Sequence, residues 1–212
     1  MFKLVGLLAL PLVSACAAPA AVGYAPGTSP EQRDALHRST PPPPVAETGE
    51  LIATTAVATL DVTLDDVEAW FLAAKIEDVL RGTKKIPAVE ATTPLSGGWG
   101  GDDDRRRVEL EDDSTALEQI LEAEFPTRFR YVVWNYTSKV AKYVDYGVGE
   151  FQFERAGSQT KVTWTYAFKP KKPAFAGPLR RFVDGEYHRF MDESLANMQA
   201  HATTWRAANE ED

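Results

Sequence analysis

The side chains best placed to do chemistry are aromatic, and they recur at strand and helix spacing. Phe151 and Phe153 alternate in one stretch, Trp164, Tyr166 and Phe168 in the next, and Phe182, Tyr187 and Phe190 follow in a third. Singly, such residues fill cores. As a set they make walls for an apolar ligand, which a few polar groups then orient. Tyr166 and Tyr187 supply hydroxyls, and Ser194 and His201 fall near the same arc of the third stretch. Buried polar atoms need partners, so these hydroxyls either bond the protein or meet a ligand.

Other chemistries find less support. His37, His188 and His201 are dispersed, whereas zinc needs three or four convergent ligands, so no metal site is expected. No Ser-His-Asp grouping, phosphate-binding glycine loop or Cys-His pair is visible. A general acid-base pair would have to come from Glu150, Tyr166, His188 or His201, and nothing in their spacing singles them out. Accordingly, no catalytic residue and no cofactor is assigned. Asp102-Asp103-Asp104 before Arg105-Arg106-Arg107 reads as a solvated hairpin tip, because a calcium loop distributes its ligands regularly around a turn.

Two features concern membranes. Lys3 leads into an apolar run from Leu4 to Val13 and then to Cys16, the only cysteine of 212 residues. This is the charge, apolar and small-residue order of a secretory signal, and it is too short to span a bilayer. Val13-Ser14-Ala15-Cys16 resembles the bacterial lipobox, which implies cleavage before Cys16 and acylation of its thiol. Ala15-Cys16-Ala17 also fits ordinary secretion. The expectation is a lipid-anchored protein of the bacterial cell envelope, with Ala17 implying the periplasmic face of the outer membrane. The second feature is Lys169 to Arg181, where five basic residues and no acid surround Phe175 in a chain of net charge -8. Lys171, Lys172, Phe175, Arg180 and Arg181 are therefore candidates for contact with anionic head groups, and a solvated proline-rich loop is the alternative. The acidic balance disfavours nucleic acid as a partner.

These residues need a scaffold. Residues 1–15 read as a signal peptide. Residues 16–50, rich in Ala and Pro and including Pro41 to Pro44, read as a disordered tether. Residues 51–208 are long enough for one domain with a real core, and a lone cysteine leaves that core without an internal disulfide. Thr54 to Val62 predicts a strand. Thr63 and Asp66 then cap a helix with Val67, Trp70 and Phe71 on one face, and a short turn covers Ile76 to Leu80. Strands are predicted at 85–95, 105–111, 116–124, 128–136, 143–154 and 161–169. In the last of these Val162, Trp164, Tyr166 and Phe168 share a face. From Pro178 to Trp205 a stripe of Val183, Tyr187, Phe190, Met191, Ser194 and Met198 predicts a helix roughly 40 Å long.

The fold class is thus α+β. The order of elements resembles the START-like, or SRPBCC, superfamily, in particular its bacterial polyketide cyclase/dehydratase and lipid transport branch. The residues carrying the likeness are Asp61 to Val67, Arg106 to Leu110, Glu118, and Thr160-Lys161-Val162-Thr163-Trp164-Thr165-Tyr166. The resemblance implies a helix-grip fold: a curved antiparallel sheet of six to seven strands around the long C-terminal helix, with two short helices after the first strand. It also implies a cavity for a hydrophobic small molecule or lipid. The expected ligand-binding residues are Phe151, Phe153, Trp164, Tyr166, Phe168, Tyr187, Phe190 and Ser194. The expected function is a monomeric, non-catalytic envelope lipoprotein that binds an apolar or amphipathic molecule. A cyclase- or dehydratase-like enzyme and an interaction module without a cavity are the alternatives.

Overall fold

The computed structural model describes residues 28–46 and 50–209. Cys16 and the expected signal peptide lie outside the described residues. In chain order the elements are α1 (Pro30–Ser39), β1 (Ile52–Leu60), α2 (Val67–Ala73), α3 (Ile76–Val79), β2 (Val89–Ser96) and β3 (Arg105–Leu110). They continue with β4 (Thr115–Glu124), β5 (Arg128–Trp134), β6 (Val144–Ala156), β7 (Gln159–Pro170), α4 (Ala176–Phe182) and α5 (His188–Asn209).

The seven described strands form one antiparallel sheet in the order β1-β7-β6-β5-β4-β3-β2. Its register shifts between Val89 and Ala91, Pro94 and Ser96, Ile120 and Glu122, and Val144 and Tyr146. Such irregularities add twist and bend strands, which lets a sheet curl around a helix. The inner face carries Val162, Trp164, Tyr166 and Phe168 of β7, as the alternation predicts, and packs on Val183, Phe190, Met191, Leu195 and Met198. This is the helix-grip arrangement. Burying each such side chain contributes roughly 1.5–3 kcal/mol.

Local details differ from expectation in informative ways. Strand β2 starts at Val89 rather than 85, because Thr83 N donates to Ile86 O across a tight loop that follows Gly82 at φ 69°. Helix α4 starts before Pro178, which is its third residue. There the missing proline N–H falls among the first four that have no intrahelical acceptor. Between α4 and α5 the helix passes through a π segment, Val183–Tyr187. In an α-helix, positions five apart diverge by about 140°; i→i+5 bonding draws them together, so Phe182 and Tyr187 reach the same interior.

Residues 28–46 depart most from the sequence reading, which expects no structure there. Ser29 and Gln32 form a reciprocal capping box, with Pro30 at the first helical position, and so start α1. The segment lies on the outer face of the sheet. Asp34 pairs with Arg107, Arg38 Nε donates to Leu95 O at 3.3 Å, and Ala46 N donates to the Tyr146 hydroxyl at 2.7 Å. His37 is fully buried. The physical reason is a second apolar cluster on this outer face, Leu95, Leu117, Val132, Trp134, Tyr146 and Val148, with Val45, Ala46 and Leu51 packed against it. A sheet with two apolar faces needs two covers.

Candidate functional site

Between the inner face of the sheet and the C-terminal helices lies a cavity of about 420 Å³. Val108, Ala116, Val133, Trp164, Tyr166 and Phe168 line it from the sheet, and Phe182, Tyr187 and Phe190 from the helices. A smaller cavity of about 90 Å³ adjoins it, walled by Phe71, Trp99, Phe129, Phe151 and Met198. Tyr131 and Trp164 line both.

Two glycines of β6 shape the polar part of the large cavity. A Cβ on Gly147 would lie 2.5 Å from the Tyr166 hydroxyl and 2.8 Å from that of Tyr136. One on Gly149 would lie 2.2 Å from Tyr131 Cζ. The bare backbone is thus what lets these phenols lie across the strand. Tyr136 and Tyr166 share a hydrogen bond of 3.3 Å, and the Tyr166 and Tyr187 rings stand 5.0 Å apart.

Burial pushes the Tyr131, Tyr136, Tyr166 and Tyr187 hydroxyls well above the ordinary phenol range. Neighbouring phenols or the Glu118 carboxylate add to the rise. All four therefore stay protonated at neutral pH and act as neutral hydroxyls, not as bases. The Trp164 indole N–H opposes the rise at Tyr131, yet Trp164 Nε1 is buried and lacks the geometry of a closed hydrogen bond.

At the boundary of the two cavities Arg106 Nε donates to Glu118 Oε2 at 2.6 Å, with both side chains largely buried. The register sets this pair, because Arg106 of β3 sits opposite Glu118 of β4. The Arg106 guanidinium also lies 3.7 Å from the centre of the Trp99 ring, a cation–π contact. Trp99 reaches it from the left-handed region, φ 61°, which a bulky side chain rarely adopts.

Of the expected ligand-binding residues, Trp164, Tyr166, Phe168, Tyr187 and Phe190 line the large cavity, and Phe151 lines the small one. Two do not line either. Phe153 packs among Phe71, Phe125 and Phe151. Ser194 donates to Phe190 O at 2.8 Å and faces an open surface cleft beside Arg81 and Gly82, because the hydroxyl satisfies itself on its own helix. His201 accepts from Trp70 Nε1 at 3.0 Å, and His188 Nδ1 bonds Thr54 Oγ1 at 2.8 Å, so both have structural partners. Asp104 accepts from the backbone N–H groups of Gly98, Gly100 and Gly101, which hold its carboxyl below the usual range and order the 97–104 turn. Among the described residues no cluster of His, Cys, Asp or Glu gathers as a metal site. Sequence reasoning missed Tyr131 and Tyr136. The alternation of Phe129, Tyr131 and Val133 would have placed Tyr131 inward, whereas Tyr136 lies just past the end of β5.

The expected membrane-contact residues join a larger surface. Lys171 N donates to Tyr143 O, Lys171 Nζ donates to Ala141 O, and the Phe175 and Tyr143 rings meet at 5.3 Å. This brings segment 171–181, whose Arg180 and Arg181 lie on α4 rather than in a loop, against 137–143, whose Lys139 lines the cavity, as do Lys84 and Lys85 of loop 83–87. The three segments carry eight basic residues and no acid. Lys85 is paired with Glu186. No described helix is long and apolar enough to cross a membrane.

The chain's likeness to known proteins fits this geometry. Solved structures of similar fold include Ara h 8.0201, at TM-score 0.54 and 15% identity over 73% of this chain and 99% of that one. TTHA0849 from Thermus thermophilus aligns at TM-score 0.52 and 18% identity, covering 72% and 97%. A Thalictrum flavum norcoclaurine synthase point mutant in complex with a transition state analogue aligns at 0.54 and 10%, covering 74% and 96%. At such identities these likenesses speak for the fold alone. No curated protein matches the chain. Residues 52–203, most of the chain and all the walls of the cavity, match the family model described as polyketide cyclase / dehydrase and lipid transport. The chain belongs to that family, within the START-like superfamily.

Proposed function

We propose that this protein is an envelope lipoprotein whose domain holds an apolar or amphipathic small molecule, lipids included, without converting it. The observation that carries the reading is the cavity of about 420 Å³, walled mainly by aromatic and aliphatic side chains, with four tyrosines and the charged Lys84, Lys85, Asp112, Glu118 and Lys139 also in its lining. Ligand sites of small molecules have this constitution and size. The cavity also weighs against an interaction module with a filled core. The lipobox-like stretch ending at Cys16 and the basic loops around the cavity mouth support work at an anionic membrane surface. The test is mass spectrometry of small molecules released from natively purified full-length protein, with the recovered ligand followed over time. A stoichiometric, unchanged apolar ligand is expected. An empty protein that takes up no apolar probe overturns the reading. For the location, Cys16→Ser should leave the membrane fraction or block processing, and unchanged fractionation would refute acyl anchoring.

A second reading, a cyclase- or dehydratase-like enzyme, draws on one observation. Four protonated phenols face one cavity, and such donors polarise a carbonyl or stabilise an oxyanion. Turnover of the recovered ligand in the same experiment would favour it.

A further inference from the structure

Helix α1 docks on the outer face of the sheet through a histidine. Of its described side chains His37 alone is buried, and fully so, whereas the neighbouring Leu36, the one leucine of the helix, stays 39% exposed. A cover shaped for stability alone would turn the leucine inward, because burial rewards apolar area. The side chain turned inward is instead of the one type whose ordinary titration falls between about pH 5 and 8. The family match starts at residue 52, so this helix is an addition to the family's domain.

The surroundings favour neutral His37. The charged groups at this contact are Arg33, Asp34 and Arg38 on α1 and Arg105, Arg107 and Glu109 on β3. Strand β2 adds only Glu90, at the end remote from Leu95. Arg107 pairs with both acids, Asp34 and Glu109, and the other three arginines leave the contact with surplus positive charge. Burial first and Arg33 second hold the His37 pKa below 6.5. The remaining polar ties of α1 are modest: Arg38 Nε to Leu95 O at 3.3 Å and Arg105 Nη1 to Arg38 O at 3.4 Å. Beneath it, β4 is bonded to β3 and β5, so the sheet does not need the helix to stay closed.

We propose that residues 28–40 are an acid-released strap, docked while His37 is neutral and freed when it takes up a proton. The docked state binds fewer protons than the released one, so docking is intact above pH 6.5 and is lost as pH falls through and below it. Release lengthens the reach of the domain. Thr28 lies 12 positions after Cys16, a span of at most about 43 Å, whereas Pro41 lies 25 positions after it, at most about 90 Å. That consequence rests on the acyl anchor proposed at Cys16; the release itself does not.

A helix of 10 residues is marginal alone, so release should unwind α1 and expose its amides to exchange. Hydrogen exchange of the full-length protein, read by mass spectrometry and corrected for the intrinsic effect of pH, tests this at about pH 7.5 and about pH 5. Protection over 33–40 should fall about ten-fold or more at the lower pH, with 115–134 unchanged. His37→Gln and His37→Leu cannot take up the proton and should keep their protection at both. Equal wild-type protection at the two pH values overturns the proposal. So does a fall that persists in both variants, which would assign it to a carboxylate, or loss of protection at pH 7.5 in both, which would show that a neutral side chain does not suffice. A parallel fall over 115–134 overturns it in favour of general unfolding. Exchange reads the strap alone, so none of these outcomes decides acyl anchoring or ligand holding, which fractionation and the recovered ligand test.

Discussion

Gly149→Ala tests whether the bare stretch of β6 is what makes room for the tyrosines. The new methyl carbon would stand 2.2 Å from Tyr131 Cζ, 2.3 Å from Cε1 and 2.4 Å from the hydroxyl oxygen. Ordinary contact begins at 3.4 Å, so the ring must retreat by about 1.2 Å. The ring stacks on Phe151 at 6.3 Å and meets the Tyr166 ring edge-on at 6.2 Å, so its free direction is into the cavity it lines. Overpacking of this kind costs about 1–3 kcal/mol, and replacing a strand glycine of ordinary φ returns about 0.5–1 kcal/mol. The expected net loss is therefore about 1–2 kcal/mol in urea denaturation, with weaker binding of an apolar probe such as 2-ethylnaphthalene. Gly98→Ala, whose methyl would meet nothing within 4 Å, is the control and should show neither effect. Removing the ring with Tyr131→Leu should abolish the cost of Gly149→Ala, giving a coupling beyond the ~0.5 kcal/mol typical of independent sites. Strict additivity, or a Gly149→Ala variant as stable and as ligand-competent as the control, would refute the reasoning.

The buried pair offers a second measurement. Arg106→Met strands a largely buried Glu118 and should cost about 3–5 kcal/mol in urea denaturation, whereas Arg106→Met with Glu118→Leu should recover most of it. Equal losses would show that the pair is not coupled. At the outer face, burial first and Arg33 second hold the His37 pKa below its ordinary 6.5. The folded state then binds fewer protons than the unfolded chain, so stability is intact above pH 6.5 and falls as pH drops through and below it. His37→Gln should flatten that fall between about pH 7 and 5; parallel wild-type and variant curves would dismiss it. At the cavity mouth, glutamates at Lys139, Lys142, Lys171 and Lys172 should abolish co-sedimentation of the domain with phosphatidylserine-containing vesicles, each basic residue contributing about 1 kcal/mol. Retained co-sedimentation would remove membrane contact from the rim.

The sequence discloses what is periodic and local. Clean alternation places Val162, Trp164, Tyr166 and Phe168 on the inner face of β7, and helical spacing places Phe190, Met191 and Met198 on the gripped helix. Less is legible where position depends on strands meeting. Arg106 and Glu118 are twelve residues apart, and only the β3–β4 register shows that they pair inside rather than solvate a surface. Gly147 and Gly149 look like weak points of a strand until Tyr131, Tyr136 and Tyr166, from β5, its following loop and β7, are seen to fill the space above them. Ser194 sits on the predicted stripe, yet its hydroxyl turns back to Phe190 O, a choice that spacing does not encode.

Residues 28–46 form an arm that shows the same limit from the other side, and it bears on how a hollow interior is sustained. Ser29-Pro30-Glu31-Gln32 is a legible helix start, but the composition around it argues for disorder, and the prolines of 41–44 reinforce that argument. What decides the outcome is the outer face of the sheet, where Leu117, Val132, Trp134, Tyr146 and Val148 form a cluster with no helix of the grip to cover it. The inner face leaves about 420 Å³ unfilled, so Tyr166, Phe168 and Phe190 lose contacts that a solid core would give them. The outer face is packed instead, with Leu117 and Val132 almost wholly buried and the arm lying across it. The central strands β4, β5 and β6 belong to both faces. Apolar packing on their outer side holds them in place while their inner side stays open to a guest.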